Sequence, residues 1–262
     1  MNTVFEDILK IKRIQVAKNK ERLSLRTLMD QCSTETNPPS FISAIQHPDK
    51  VSIIAEIKKA SPSAGFFFSH YNPIEIAKSY AAAGASALSI LTEENFFGGS
   101  IQDLIDVKHK TELPILRKDF IVDPYQVYES KVIGASAILL IMAALTESSY
   151  LELTHLAEKL DLDVLVEIHS KEELLAALKG NPKIIGINNR NLKDLSVNLA
   201  VTFELVKWIP KNTIVVSESG IQSAESIKKL KLAGISGALV GESLLKSKNR
   251  EQLLKAFVEA GN

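Results

Sequence analysis

The sequence contains three similar stretches: residues 83–90 read AGASALSI, residues 133–140 read IGASAILL and residues 233–240 read AGISGALV. In each stretch a helical pattern ends at a glycine, the residue that most readily adopts the left-handed conformation that closes a helix. A short apolar run follows, and because it is too short for a helix it indicates a buried β-strand. The chain therefore repeats a unit in which a helix leads into a buried strand.

Similar apolar runs bring the number of predicted strands to eight; the further runs are residues 51–57, 114–116, 164–168, 184–187 and 213–216. An amphipathic helix separates each strand from the next, and this alternation implies parallel strands joined by right-handed crossovers. Eight units predict an α/β fold, a closed (β/α)8 TIM barrel. The alternative is a doubly wound open sheet, but the first strand is followed by KKASP and not by that fold's glycine-rich fingerprint.

The predicted domain organisation is a single domain spanning residues 1–262. Residues 49–262 form the barrel, and residues 1–48 form an N-terminal helical extension packed on it, with Ile8, Ile11, Ile14 and Val16 marking a helix. The extension is too short to bury a core of its own, so a second domain is not expected.

Composition excludes several classes of protein. The chain has 45% hydrophobic and 24% charged residues, which is typical of a globular protein. Its 31 basic and 31 acidic residues balance, so no overall field attracts nucleic acid or an anionic membrane. No apolar run approaches the roughly 18 residues of a membrane helix, and no signal peptide is recognisable. With Cys32 as the sole cysteine, we expect a cytoplasmic protein without internal disulfides. We also expect a monomer.

Polar residues occur at the ends of most predicted strands, where the active sites of such barrels lie. Glu56 and Lys58 are two apart and share a face of the first strand. The later strands end at Lys118, Glu167, Asn188-Asn189-Arg190 and Glu218, whereas the fourth continues apolar through Met142 and is expected to form a wall. Lysines and carboxylates in one cavity perturb each other's pKa, which allows an acid and a base to coexist at neutral pH.

Two further features predict a ligand with a phosphate and an aromatic ring. Ser219-Gly220 and Gly241 follow the seventh and eighth strands, where backbone amides and a short helix commonly bind phosphate. Phe97 and Phe120 follow polar strand ends and are candidates for an apolar pocket.

The five histidines lack metal-binding spacing, and no nucleophile elbow is present. We therefore expect neither a metal nor a cofactor. His169 lies just after Glu167, so it either faces the mouth of the barrel or belongs to a surface loop. We interpret it as a residue of a surface loop.

Several segments, in this order, resemble those of the indole-3-glycerol-phosphate synthase family: residues 55–63 (AEIKKASPS), 91–93 (LTE), 97–100 (FGGS), 116–121 (LRKDFI), 166–168 (VEI), 186–192 (GINNRNL) and 217–221 (SESGI). The chain resembles the stand-alone form of that enzyme. Glu242 is an acid beside the expected phosphate site, and its side chain either weakens the site or points away from it.

The resemblance implies a carboxy-lyase of tryptophan biosynthesis that acts on 1-(2-carboxyphenylamino)-1-deoxyribulose 5-phosphate. Ring closure, decarboxylation and dehydration give indole-3-glycerol phosphate without a cofactor. Lys118 is the implied general acid for ring closure. In the dehydration Glu167 has one of the two implied roles, base or acid, and Lys58 has the other. Which lysine is the acid in each step is left open, and Glu56, Asn188 and Glu218 orient these groups. The implied substrate-binding residues are Ser61, Pro62, Phe97, Phe120, Arg190, Ser219, Gly220, Gly241 and Glu242, the last through its backbone.

Two alternatives remain open at this point. A lysine desolvated beside carboxylates also serves Schiff-base aldolases, which borohydride trapping would reveal. A barrel that binds a phosphorylated ligand without turning it over is the other alternative, and the paired lysines and acids argue against it.

Overall fold

The computed structural model describes residues 3–32, 38–62, 65–67 and 71–262. Eight parallel strands form a closed barrel in which each strand pairs with its neighbours in sequence and the eighth pairs with the first. The strands are β1 (Ser52–Ile57), β2 (Ala87–Leu91), β3 (Ile115–Lys118), β4 (Ala137–Ile141), β5 (Asp163–Ile168), β6 (Ile184–Asn188), β7 (Ile214–Glu218) and β8 (Gly237–Val240). The prediction of a (β/α)8 barrel is confirmed.

Helices precede the barrel and connect its strands. They are α1 (Val4–Arg22), α2 (Leu25–Cys32), α3 (Phe41–Ile45), α4 (Pro73–Ala82), α5 (Ile101–Lys108), α6 (Pro124–Val132), α7 (Glu147–Lys159), α8 (Lys171–Ala177), α9 (Ala200–Leu205), α10 (Ala224–Leu232), α11 (Glu242–Lys246) and α12 (Arg250–Gly261). Gly84, Gly134 and Gly234, the glycines of the three similar stretches, all have positive φ. Among the described residues, no helix has both the length and the apolar character needed to cross a membrane.

The two faces of the strands form two apolar clusters. Ile53, Ala55 and Ile57 of β1 belong to the outer cluster between strands and helices, whereas Ile54 belongs to the cluster inside the barrel. The other inner residues include Leu116, Leu165, Ile184, Ile214 and Val216. Side chains alternate along a strand. In each of these strands, the inward-facing positions that follow the apolar residues therefore lie at the carboxyl end of the strand.

The N-terminal helices contact both ends of the barrel. Phe41 and Ile45 of α3 pack on the inner cluster beside the first residues of several strands, and α1 reaches the carboxyl ends. Ile8, Ile11, Ile14 and Val16, which mark a helix in the sequence, all lie on α1, but Ile11 and Ile14 are exposed at 36% and 49%. The buried residues of α1 are Ile8, Leu9, Lys12 and Val16, which follow the helical period from Ile8.

Candidate active site

A cavity of about 550 Å³ opens among the carboxyl ends of the strands. All fifteen residues proposed from the sequence contribute to its lining: Glu56, Lys58, Ser61, Pro62, Phe97, Lys118, Phe120, Glu167, Asn188, Arg190, Glu218, Ser219, Gly220, Gly241 and Glu242. Val4, Phe5 and Ile8 of α1 line it as well. The cavity thus joins residues from most of the strands with the N-terminal helix.

Lys118 lies between two carboxylates at the centre of the cavity. Its Nζ is 2.8 Å from Oε2 of Glu167 and 2.6 Å from Oε2 of Glu218. These three residues occupy the last inward positions of β3, β5 and β7, which is why they converge. Asn188 pairs in register with Glu218 and hydrogen-bonds Glu167.

Burial and mutual charge shift the pKa values of this cluster in different directions. Burial lowers the pKa of Lys118, but Glu167 and Glu218 outweigh it and the net shift is upward. Burial raises the pKa of Glu167, yet Lys118 and His169 together bring it to about 2. Burial raises the pKa of Glu218 to about 7, against the pull of Lys118. Near neutral pH the cluster therefore holds a charged lysine, an ionised Glu167 and a Glu218 that exchanges a proton.

We expect the pH dependence of stability to reveal the state of Glu218. Its folded-state pKa of about 7 exceeds the ordinary value of 4.5, so its contribution is fully present below that ordinary value. The contribution is lost as pH rises through about 7. Glu218→Gln removes this dependence, whereas Glu225→Gln, at an exposed site, leaves it unchanged. Thermal unfolding across this pH range measures the effect, and equal pH profiles for parent and Glu218→Gln would contradict the assignment.

Two glycines make room for the buried carboxylates. A Cβ at Gly186 would lie 2.1 Å from Oε1 of Glu218, and a Cβ at Gly241 would lie 2.2 Å from Oε1 of Glu56. Any larger residue would displace these side chains, because such distances are well inside van der Waals contact. From the sequence, Gly241 was proposed to bind phosphate through its backbone. The space that Glu56 occupies is a second reason for a glycine at this position.

Cationic side chains gather near the ends of β1, β6 and β8. Lys58 Nζ is 2.5 Å from Oε1 of Glu56, and Arg190 Nη2 is 3.1 Å from Oε2 of Glu242. Glu242 also pairs with Lys246, which lowers its pKa together with Arg190. Glu242 therefore does not point away from the cavity, which it lines, and its carboxylate is paired with two cations.

The turn after β7 has an unusual backbone conformation. Ser219 and Gly220 both have positive φ, at 67° and 80°. A non-glycine residue in this region carries a conformational cost, and such residues cluster at functional sites.

Aromatic and aliphatic side chains form another part of the lining. The rings of Phe97 and Phe120 lie 6.3 Å apart, and Phe5 of α1 lies 6.1 Å from Phe120. Leu139 and Ile141 of β4 complete this side, so the expectation of an apolar wall from the fourth strand is correct.

Glu93, which follows β2, is buried but does not line the cavity. Its carboxylate accepts hydrogen bonds from the backbone N–H groups of Asn95, Phe96 and Phe97. It therefore holds the loop that presents the ring of Phe97.

Sequence reasoning missed a buried ionic network beside Lys118. Lys12 of α1 pairs with Asp119 at 2.8 Å, and Arg117 contacts Asp119 at 3.3 Å and Glu129 at 2.7 Å. Thr92 donates to Asp119 at 2.6 Å. Arg117 points away from the barrel interior because it alternates with Lys118 along β3. The network connects the N-terminal helix to the residue next to Lys118.

We expect Lys12→Met to destabilise the protein by about 3 kcal/mol, because it leaves Asp119 buried without its closest cation. Lys20→Met is the matched control on the same helix, since Lys20 pairs with Asp123 at the surface. The control should cost at most about 1 kcal/mol. Chemical denaturation measures both, and equal stabilities of the two variants would contradict a buried role for Lys12.

The interpretation of His169 as a surface-loop residue was wrong. Its side chain is only 11% exposed, and its Nε2 lies 3.4 Å from Oε1 of Glu167. Glu173, one turn into α8, accepts the His169 backbone N–H at 2.8 Å and lies 3.2 Å from Nδ1. These contacts fold the ring inward, behind Glu167.

Within the described part of the chain, no group of three or more histidine, cysteine, aspartate or glutamate residues is arranged to hold a metal ion. His70 lies outside the described residues.

Comparisons with known proteins show the family and the fold of this chain. The chain is 43% identical over 258 residues to an indole-3-glycerol phosphate synthase of Legionella pneumophila (strain Paris), covering 98% of this chain and 99% of the relative. It is 42% identical over 260 residues to the enzyme of that name from Bacteroides thetaiotaomicron, covering 99% of each. Among solved structures, 3-hexulose-6-phosphate synthase from Salmonella typhimurium shares the fold, with a TM-score of 0.66 at 10% identity over 80% of this chain and 98% of that one. A sequence model described as indole-3-glycerol phosphate synthase matches residues 5–257, and the chain therefore belongs to the indole-3-glycerol phosphate synthase family.

Proposed function

We propose that this chain converts 1-(2-carboxyphenylamino)-1-deoxyribulose 5-phosphate into indole-3-glycerol phosphate, carbon dioxide and water. The observation that carries the proposal is the position of Lys118 between Glu167 and Glu218, in a cavity with an aromatic side and a cationic side. Membership of the family supports the same reaction.

In this proposal Lys118 donates a proton to the ketone oxygen as the new carbon–carbon bond forms. Its raised pKa keeps the amine charged, which suits an acid. Carbon dioxide leaves once the ring carbon that carries it is tetrahedral. Glu167, whose lowered pKa keeps it ionised, then removes the ring-nitrogen proton, and Lys58 protonates the departing hydroxyl. One hydrogen of the adjacent ring CH2 carbon then shifts to the nitrogen and gives the indole. Glu56, Asn188 and Glu218 orient these groups.

The two sides of the cavity suit the two ends of the substrate. We place the phosphate against the backbone of Ser219, Gly220, Gly241 and Glu242, with Lys58 and Ser61 nearby. The benzene ring then lies against Phe97, Phe120 and Pro62, and Arg190 is available for the substrate carboxylate. Arg190 is paired with Glu242 and leaves that acid when it binds the substrate carboxylate. The contact of Lys246 with Glu242 supports this arrangement, because it still neutralises the acid.

The aldolase alternative requires a neutral amine as nucleophile. The raised pKa of Lys118 opposes that state, so we expect borohydride to trap no covalent adduct with a keto phosphate.

Indole fluorescence provides the test of the proposed function. Purified protein mixed with the carboxyphenylamino sugar phosphate should produce the fluorescence of indole-3-glycerol phosphate, with release of carbon dioxide in equal amount. Binding of the substrate without either product would contradict the proposal and favour a barrel that only binds a ligand.

We also propose that residues 1–48 and residues 49–262 form a single domain, and that the protein acts as a cytoplasmic monomer without a cofactor or a nucleic-acid partner. The buried pair of Lys12 with Asp119 supports the first point. The balanced charge supports the absence of a nucleic-acid partner, and the lone cysteine supports the cytoplasmic location. Sedimentation analysis tests the oligomeric state.

A further inference from the structure

Asn189, which follows β6, is buried beside the turn after β7 and is not among the residues that line the cavity. Its side-chain nitrogen Nδ2 donates to the backbone carbonyl oxygens of Glu218 and Ser219, at 2.8 and 3.1 Å. Nδ2 also lies 3.0 Å from Oγ of Ser217. The backbone N–H of Asn189 donates to the Glu218 carbonyl as well, at 2.9 Å. One residue therefore holds the backbone at the end of β7 and at the start of the following turn.

Two neighbours fix the orientation of the Asn189 side-chain amide. Its Oδ1 accepts hydrogen bonds from the backbone N–H and from Oγ1 of Thr202 on α9, at 3.1 and 2.9 Å. Oγ1 of Thr202 also lies 2.8 Å from Oγ of Ser217. A rotation of the amide by 180° would place its oxygen against carbonyl oxygens and its N–H groups against the N–H of Thr202. Nδ2 is therefore held toward the two carbonyls.

These bonds determine the direction of two successive peptide groups. In a trans peptide the C=O and the N–H point in opposite directions. The carbonyls of Glu218 and Ser219 face Asn189, so the N–H groups of Ser219 and Gly220 point away from it. Both of these residues line the cavity, and neither N–H donates a hydrogen bond within the described residues. Successive N–H groups on one side of a turn form an anion-binding concavity.

The loop that connects β6 to α9 also packs against this turn. A Cβ at Gly220 would lie 2.8 Å from Cγ1 of Val197, and the N–H of Asn198 donates to the carbonyl of Asn189 at 2.9 Å. The positive φ of Ser219, at 67°, carries a conformational cost that surrounding contacts must offset. The contacts from Asn189 and from this loop supply that support.

We propose that Asn189 is a positioning residue that directs the N–H groups of Ser219 and Gly220 toward the substrate phosphate. The inference rests on the proposed function, which places the phosphate against this turn. Asn189 acts through the turn and does not contact the substrate. Without Nδ2 the two carbonyls lose their buried donor, and the peptide groups can rotate. The phosphate then loses two donors, whereas the aromatic side of the cavity is unchanged.

Asn189→Ala tests the proposal with two ligands, indole-3-glycerol phosphate and the same compound without its phosphate. Fluorescence titration gives the Kd of each ligand for the parent and for the variant. Hydrogen bonds to a charged group are the stronger ones, so the Kd of the phosphorylated ligand should rise by about tenfold or more. The Kd of the ligand without phosphate should change by less than about twofold, because that ligand does not use the two N–H groups.

Thr202→Val removes one of the two hydrogen bonds on Oδ1 of Asn189 and keeps the other. We expect the same selective rise in Kd to a smaller extent, about threefold. Thr154→Val is the matched control, because Thr154 is a buried threonine on α7 that does not line the cavity. It should change neither Kd.

An equal rise in both Kd values would overturn the proposal, because Asn189 would then support the fold without acting on the phosphate. An unchanged Kd of the phosphorylated ligand in folded Asn189→Ala would overturn it too. If thermal unfolding shows that Asn189→Ala does not fold, the comparison of Thr202→Val with Thr154→Val decides by the same criteria. A parent that makes no product would overturn the proposed function. Product from the parent together with unselective variants would overturn the role of Asn189 alone.

Discussion

We expect Lys118→Ala to lower kcat by roughly two to four powers of ten, the usual contribution of a placed general acid. The substitution removes the ammonium group that faces both Glu167 and Glu218. Glu167 and Glu218 then lose the positive charge that both of them contact. We therefore expect part of the remaining activity to come from molecules in which one of the two carboxylates is protonated. Steady-state kinetics followed by indole fluorescence measures the loss.

Lys179→Ala is the matched control for this substitution, because Lys179 pairs with Glu147 at the surface and lies outside the cavity. Thermal unfolding of both variants separates loss of chemistry from loss of fold. Turnover like that of the parent in folded Lys118→Ala would remove Lys118 from the reaction.

We expect a loss of similar size from Glu167→Gln, again roughly two to four powers of ten in kcat. Glutamine keeps the volume of the side chain and can still hydrogen-bond Asn188, but it is not a base. Without the Glu167 charge the pKa of Glu218 also falls, since Glu167 contributes to raising it. Kinetics measured from acid to alkaline pH distinguish a shift in the pH profile of kcat from the loss of the general base.

Glu147→Gln provides the control for Glu167→Gln, because Glu147 makes a surface ion pair at 2.6 Å. A Glu167→Gln variant that retains the parent's kcat would show that another group accepts the proton. A change in KM alone, with kcat unchanged, would assign Glu167 to substrate binding.

The barrel and the convergence of its polar residues were predictable because both follow from strand periodicity. Leu165 and Glu167 are two residues apart on β5, as are Leu116 and Lys118 on β3. An inward apolar residue followed two positions later by a charged one shows where the interior ends and the cavity begins. That rule requires only the sequence and the side-chain alternation of a strand. The roles of these residues in the reaction remain predictions.

The buried groups beyond the strands were not predictable in the same way. Lys12 is buried on α1 because Asp119 lies opposite it, and hydrophobic periodicity assigns a lysine to the solvent side. His169 is directed inward by Glu173, a contact that depends on how α8 begins. Position 186 must be a glycine because the carboxylate of Glu218, which is distant in the sequence, occupies the space of a side chain there. Each case depends on a partner from another element, which no local pattern encodes.

A crystal structure with bound indole-3-glycerol phosphate tests the central claim most directly. We expect the phosphate against the backbone of Ser219, Gly220 and Gly241, the indole ring against Phe97 and Phe120, and Lys118 beside the carbon that carried the ketone oxygen. An indole bound outside this cavity, or a phosphate at its aromatic side, would contradict the account.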